Sequence, residues 1–295
     1  MIEMPVHSPL QRVAYTTQQG NHLEIDMKRD DLIHPYISGN KWRKLKYHLR
    51  EAEVEKKTDL LTFGGPWSNH LLATAFAAAQ FNFSSQGQVR GEPVSNPILQ
   101  MCRLMGMQLN FVSRADYKDK TTLAKKHKQS HTYCIPEGGC SVLGARGCGE
   151  ILDELGTAYD HIVCACGTGT TLAGLAHAGK KQPGTHFHGI PVLKQGHYLR
   201  EEILNLYPKL DNFTLHTPYH FGGYGKTNAV LNAFVAHFSA QTGILIEPTY
   251  TGKALFGLMD LIQQGYFMHE RVLFIHTGGL TGLLGHLNHF PGPAV

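Results

Sequence analysis

The chain has 295 residues, 42% of them hydrophobic and 17% charged, enough to bury the core of one large or two modest domains. A net charge of +4 over this length points to neither nucleic acid nor an anionic membrane as a partner and leaves the excess cations for small anionic ligands. No apolar run approaches the ~18 residues of a membrane span, and Met1 to Gln19 lacks the basic and apolar stretches of an export signal, so the cytoplasm is the expected location.

In chain order, Leu23 to Lys28 is predicted as a strand, and from Leu60 onward short apolar strands alternate with helical patterns, which predicts parallel α/β units. Leu60 to Phe63 is a strand and Asn69 to Phe81, rich in Ala and Leu, a buried helix. A strand at Gly87 to Arg90, a helix at Asn96 to Met105 ended by Gly106, and strands at Gln108 to Val112 and Thr132 to Ile135 complete a four-strand unit. The second series has helices at Gly144 to Glu154, Thr171 to Ala178, His197 to Leu206, Thr227 to Thr242 and Lys253 to Gln264. Its strands are Ile162 to Cys166, His186 to Val192, Phe213 to His216 and Arg271 to His276. The N-terminal segment joins this second series, so residues 1–48 plus 145–295 are expected as a large cofactor-binding domain and 49–144 as a small inserted α/β domain. The fold class is α/β, two domains with open, mostly parallel twisted sheets.

Six cysteines without framework spacing are expected as free thiols, and Cys164 and Cys166 share one face of a buried strand. Nineteen histidines are scattered without a Cys/His cluster or an H-E-x-x-H pattern, so no metal site is expected.

Five segments carry chemistry. In Ser38-Gly39-Asn40-Lys41-Trp42-Arg43-Lys44-Leu45 a lysine sits beside small polar residues and is followed by two further cations. Nearby positive charge favours the neutral, nucleophilic form of the Lys41 amine, which can capture an aldehyde, and attracts a phosphate. Gly64-Gly65-Pro66-Trp67-Ser68-Asn69-His70 opens a helix, so Ser68 is either an N-cap alone or part of a carboxylate-binding helix end. Gly167-Thr168-Gly169-Thr170-Thr171-Leu172 joins a strand to a helix and makes an anion site from backbone N–H groups. It is neither a P-loop, lacking Gly-Lys-Ser/Thr, nor a dinucleotide fingerprint, because Leu172 stands at the third glycine. Glu247-Pro248-Thr249-Tyr250-Thr251-Gly252-Lys253-Ala254 and Phe274-Ile275-His276-Thr277-Gly278-Gly279 follow.

Taken in this order, from about Asp26 to Gly279, the five segments resemble the fold-type II enzymes dependent on pyridoxal 5′-phosphate, of the tryptophan synthase beta-like fold. Within them the chain resembles the 1-aminocyclopropane-1-carboxylate (ACC) deaminase and D-cysteine desulfhydrase family. The resemblance implies a cofactor in the cleft between a small and a large domain, a small amino-acid substrate and a homodimer. It makes Lys41 the lysine bonded to the cofactor, with Lys44, Asn69, Gly167, Thr168, Gly169, Thr170, Thr171 and Thr277 around phosphate and ring. Asn69 matches the asparagine at the ring hydroxyl, and Thr277 stands near the pyridine nitrogen. Ser68 matches a serine near the substrate α-carbon, so either Ser68 or the released Lys41 takes the α-proton. Tyr250 and Tyr224 match catalytic tyrosines directed into the cleft, each otherwise a core tyrosine. Substrate contact is expected from Trp67, Ser68, Asn69, His70 and Thr251.

The deaminase branch tends to carry Glu after the Tyr250 position, Leu at the Thr277 position and Gln after the Ser-Asn pair. Thr251, Thr277 and His70 stand there instead and look like the desulfhydrase branch. The expected reaction is therefore D-cysteine to pyruvate, ammonia and hydrogen sulfide. The alternatives are ACC opening to 2-oxobutanoate and ammonia, or cofactor binding without turnover, with a Rossmann oxidoreductase further off. Pro66-Trp67 departs from the usual Ile-Gln, so Trp67 is expected to crowd the pocket. Leu71-Leu72 departs from an Arg-bearing pair and is expected to remove a polar contact.

Overall fold

The computed structural model describes residues 2–268 and 270–290. Ten strands form two sheets: β1 Leu10–Thr16, β2 His22–Lys28, β3 Asp59–Gly64, β4 Ser84–Arg90, β5 Gln108–Val112, β6 Thr132–Cys134, β7 His161–Cys166, β8 His186–Pro191, β9 Phe213–Leu215 and β10 Val272–Ile275. The six-stranded sheet runs β1-β2-β10-β7-β8-β9, parallel except for the antiparallel β1-β2 hairpin, and the four-stranded sheet runs β5-β4-β3-β6, all parallel. Helices are α1 Asn40–Val54, α2 Asn69–Gln80, α3 Pro97–Leu104, α4 Lys120–His127, α5 Val142–Gly149, α6 Thr170–Ala178, α7 Leu199–Leu206, α8 Ala229–Thr242 and α9 Thr251–Gln263.

Strand alternation accounts for two layers of core around the larger sheet. On β7, Val163 and Ala165 face α8 and α9 with Phe238, Leu258 and Phe274, while Ile162, Cys164 and Cys166 face α6 with Leu172 and Phe187. A parallel sheet covered on both faces needs such continuous apolar strands. The helix starts follow from local chemistry: Ser68 accepts the Leu71 N–H at 3.2 Å and Asn96 the Leu99 N–H at 2.9 Å, each satisfying a donor with no partner inside its helix.

Helix α1 links the two sheets. Its Trp42, Leu45 and Leu49 pack with Ala73 and Ala77 of α2, while the Arg43 backbone presses on α5 at Gly147, where any side chain would overlap the Arg43 carbonyl. The buried Arg43 guanidinium reaches Asp30 at 2.6 Å and Glu154 at 2.7 Å, fixing α1 to the segments on either side of it. One of the cations following Lys41 is thus a structural tie.

One expected element is corrected and two were missed. The long helix over Gly144 to Glu154 is α5, capped by Ser141, then a separate 3-10 turn at Leu152–Glu154. β1 and α4 were not foreseen, because β1 buries only Val13 and Tyr15 and α4 only Leu123.

The scattered histidines partly converge. His161, His188 and His216, on or just beyond three neighbouring strands, are linked ring to ring at 2.9 Å each, and His161 ends the run on Glu270 at 2.9 Å. Among the described residues no group of three or more His, Cys, Asp or Glu side chains could hold a metal ion. No described helix is long and apolar enough to cross a membrane.

Candidate active site

The C-terminal ends of strands from both sheets converge on one cavity of about 380 Å³. Gly65 and Ser68 follow β3, Arg90 ends β4, Glu137 and Gly138 follow β6, the Gly167–Gly169 loop follows β7, and Thr277 follows β10. Ligands of open α/β sheets bind at this end, where loops and helix N-termini present free backbone groups.

Lys41 enters the cavity from the first turn of α1. That turn begins at Gly39, whose φ is +60°, and its chain packs so closely on the Thr277–Gly278 backbone that no Cβ fits. The Asn40 N–H donates to the Thr277 carbonyl at 3.2 Å and the Asn40 side chain to the Thr171 hydroxyl at 3.1 Å. Lys41 is therefore held between the loop after β10 and the start of α6. Burial, and then the charge of Lys44, push its amine from 10.5 down to about 7. A lysine with that affinity has a substantial neutral, nucleophilic fraction near neutrality, where an ordinary lysine has almost none.

Lys44, 4% exposed, lines the same cavity, and neither it nor Lys41 has a carboxylate partner among the described residues. A lysine without a carboxylate partner, beside a second lysine amine and facing a cavity, makes an anion site, which Gly167, Thr168, Gly169 and Thr171 also line. Gly169 adopts φ +73° at the N-cap of α6, whose first N–H groups have no partner inside the helix. These residues fit pyridoxal 5′-phosphate: an amine poised for the aldehyde, a helix N-terminus and a lysine for the phosphate. Asn69 stands against Gly279, where a Cβ would come within 2.7 Å of its amide nitrogen, and Thr277 is the hydroxyl at the cavity floor.

The predicted residues divide. Lys41, Lys44, Ser68, Asn69 and His70 line the cavity, as do Gly167, Thr168, Gly169, Thr171, Tyr224, Tyr250 and Thr277. Thr170 does not; it is fully buried and its hydroxyl meets that of Thr168 at 2.8 Å. Thr251 does not either, because its hydroxyl turns back to the Glu247 backbone N–H at 3.0 Å. Trp67 lies outside, 41% exposed and packed over Gly285, so it does not crowd the cavity. Leu71 and Leu72 are core residues of α2. His70 places Nε2 2.8 Å from the Thr62 hydroxyl, and burial followed by Lys41 and Lys44 holds it well below 6.5, as a neutral ring.

The two tyrosines meet edge to face, ring centroids 5.9 Å apart. Tyr250 is pushed well above 10, first by burial and then by Tyr224, so it is a proton donor. Its position is set by Glu247, whose carboxylate accepts the N–H groups of Thr249, Tyr250 and Thr251 at 2.7, 2.7 and 2.8 Å. Sequence reasoning passed over Glu247, Glu137 and Arg90. The first has a visible signal, an acid just before a helix start; an arginine at a strand end looks like any solvated cation.

Comparison with known proteins follows this geometry. The family model described as pyridoxal-phosphate dependent enzyme matches residues 6–278. The chain is 32% identical over 282 residues to a Pyrococcus furiosus protein named putative 1-aminocyclopropane-1-carboxylate deaminase, covering 88% of this chain and 85% of that one. It is 31% identical over 315 residues to a Klebsiella pneumoniae protein named D-cysteine desulfhydrase, covering 94% of each. Among solved structures, an ACC deaminase homologue superimposes with a TM-score of 0.81 at 28% identity, over 97% of this chain and 93% of that one.

Proposed function

We propose, for a chain that belongs to the pyridoxal-phosphate dependent enzyme family, that its cavity deaminates a small amino acid by β-elimination. D-cysteine is the prototype, giving pyruvate, ammonia and hydrogen sulfide. The observation that carries this reading is one cavity holding a lysine amine pushed down to about 7, a helix-capping serine and, at Thr277, a hydroxyl where a carboxylate could have stood.

Lys41, Lys44, Asn69, Thr277 and the Gly167–Thr171 segment are the residues that would hold the cofactor. Bound pyridoxal 5′-phosphate supplies the electron sink for charge developing at the substrate α-carbon. The N-terminus of α2, with Ser68 and Asn69, offers donors to the substrate carboxylate. The Lys41 amine, once free, is the better base for the α-proton, since the Ser68 oxygen already accepts the Leu71 N–H at 3.2 Å. The Tyr250 hydroxyl lines the cavity and is kept protonated by burial, so in this reading it gives a proton to the departing β-substituent. Thr277 supplies no counter-charge to a ring nitrogen, which favours prompt loss of the β-group over transamination.

Opening of 1-aminocyclopropane-1-carboxylate to 2-oxobutanoate and ammonia would use the same residues, and the name of the Pyrococcus furiosus relative supports testing it. A cytoplasmic homodimer belongs to this reading; light scattering of the purified protein tests the stoichiometry. The deciding experiment measures 2-oxo acid release by cofactor-loaded protein with D-cysteine, L-cysteine and ACC. Fast release from D-cysteine alone supports the proposal, release from ACC alone replaces it with the deaminase reading, and bound cofactor without release from any of the three leaves a binding protein.

A further inference from the structure

Arg90 ends β4 and brings its guanidinium to the cavity wall beside Gly65, where a Cβ would lie 3.5 Å from the Arg90 Nη2. The acid on the same wall, Glu137, is committed elsewhere: Lys120 stands 3.0 Å from its carboxylate and the Tyr117 hydroxyl donates to it at 3.0 Å. Arg90 has no hydrogen-bond or ion-pair partner for its guanidinium among the described residues; its Cζ lies 5.7 Å from the centre of the Tyr117 ring, which orients the fork. Arg90 and Lys120 against Glu137 leave this wall with one uncompensated positive charge. The cavity is thus polarised, with two lysines at its inner end, one of them, Lys44, 4% exposed, and an exposed guanidinium at the outer end.

A guanidinium keeps its charge at any working pH, and its planar fork matches oxyanions. In the lyase reading Lys41 serves the cofactor aldehyde, Lys44 and the α6 N-terminus its phosphate, and the α2 N-terminus the α-carboxylate. Arg90 is left for a negative group further out. We propose that Arg90 is a specificity residue for an anionic β-substituent, so that the favoured substrates are amino acids carrying a sulfonate or phosphate ester on the β-carbon. This rests on reading the cavity as an amino-acid lyase site. With a sulfonate or phosphate ester as leaving group the step balances without oxidant or reductant. The α-proton goes to the protein base, the substituent departs with the Cβ–X electron pair as sulfite or phosphate, and water supplies the keto oxygen of pyruvate as ammonia leaves.

The test uses the cofactor-loaded enzyme with both enantiomers of cysteate, O-phosphoserine and cysteine, read by pyruvate release and, independently, by the change in cofactor absorbance on titration. The intact enzyme is expected to favour an anionic substrate over cysteine in kcat/KM. In Arg90→Gln that preference should drop about 10- to 100-fold, the worth of a charge-assisted hydrogen bond, and Arg90→Lys should restore part of it. Circular dichroism checks that both variants fold. An equal loss on anionic and neutral substrates, or cysteine preferred by the intact enzyme, overturns the role of Arg90 while leaving the lyase reading intact. Neither absorbance change nor pyruvate with any of the six sinks the lyase reading, and this proposal with it.

Discussion

Gly39 and Thr277 touch through their backbones, across nearly the whole length of the chain, so closely that a methyl group on Gly39 would overlap the Thr277 carbonyl. This contact sets both the start of α1, which carries Lys41, and the loop that floors the cavity. Gly39→Ala meets two obstacles: the clash, and a backbone at φ +60°, ψ −134° that side chains avoid at a cost of about 1–3 kcal/mol. The expected result is lower stability by at least that amount in urea unfolding, together with loss of the visible absorbance of bound cofactor. A variant that melts and binds like the parent would show that the contact is not needed.

The Lys41 amine gives a second prediction. A free lysine is protonated until pH 10.5, whereas this one is pushed down to about 7. The neutral, reactive fraction therefore rises through pH 7, and cofactor uptake by apoprotein should rise with a midpoint near there. Lys44→Met removes the neighbouring charge, so the midpoint should move to higher pH while phosphate affinity weakens. Lys41→Ala should leave no visible absorbance. An uptake midpoint unchanged in Lys44→Met would rule out coupling between the two amines.

Most of the parallel strands were legible because a strand buried on both faces, such as Ile162 to Cys166, must be an apolar run between breakers. β1 was not, since an edge hairpin strand with only Val13 and Tyr15 buried carries too short a period. The Lys41, Ser68 and Gly167 segments could be read because their chemistry is local. Trp67 could not: its type suggested bulk in the cavity, but its direction depends on Gly285, far along the chain. The turn of Thr251 toward Glu247 and the arrival of Arg90 beside Gly65 are likewise tertiary facts, set by how α9 and β4 dock.

Glu247 is fully buried and holds the first turn of α9, including Tyr250, by three accepted N–H bonds. In Glu247→Gln one oxygen becomes an NH₂ group facing a donor, so the variant should lose about 1–3 kcal/mol. Burial pushes the carboxyl from 4.5 up to about 7 against the pull of the N–H bonds. A raised folded value means that the stability this group contributes is fully present below 4.5 and is lost as pH rises through 7. The gap between parent and variant should therefore narrow from pH 4.5 to 7 in chemical denaturation, and a gap that widens would contradict a carboxyl raised by burial.

The histidine run makes the opposite prediction for acid. Every link is satisfied when His216 donates to His188, His188 to His161 and His161 to Glu270, all rings neutral. A second proton on His188 would set N–H against N–H. Burial first, then the neighbouring histidines, take His188 from 6.5 to about 2, and His216 falls to about 4. The unfolded chain takes up these protons below 6.5 while the folded chain refuses them, so stability falls as pH drops from 6.5 toward 4. Each refused proton contributes about 1.4 kcal/mol per pH unit. His48, also held down to about 4, adds to the slope of the parent but not to its difference from a variant. His188→Leu removes the central ring between Tyr266 and Phe267, and should flatten the dependence by at least one proton between pH 6.5 and 4, whatever its stability at neutrality. Denaturant unfolding at steps across that range reads the slope directly. A parent and variant of equal slope would mean that His188 takes its proton as freely folded as unfolded, and that the run is not held neutral.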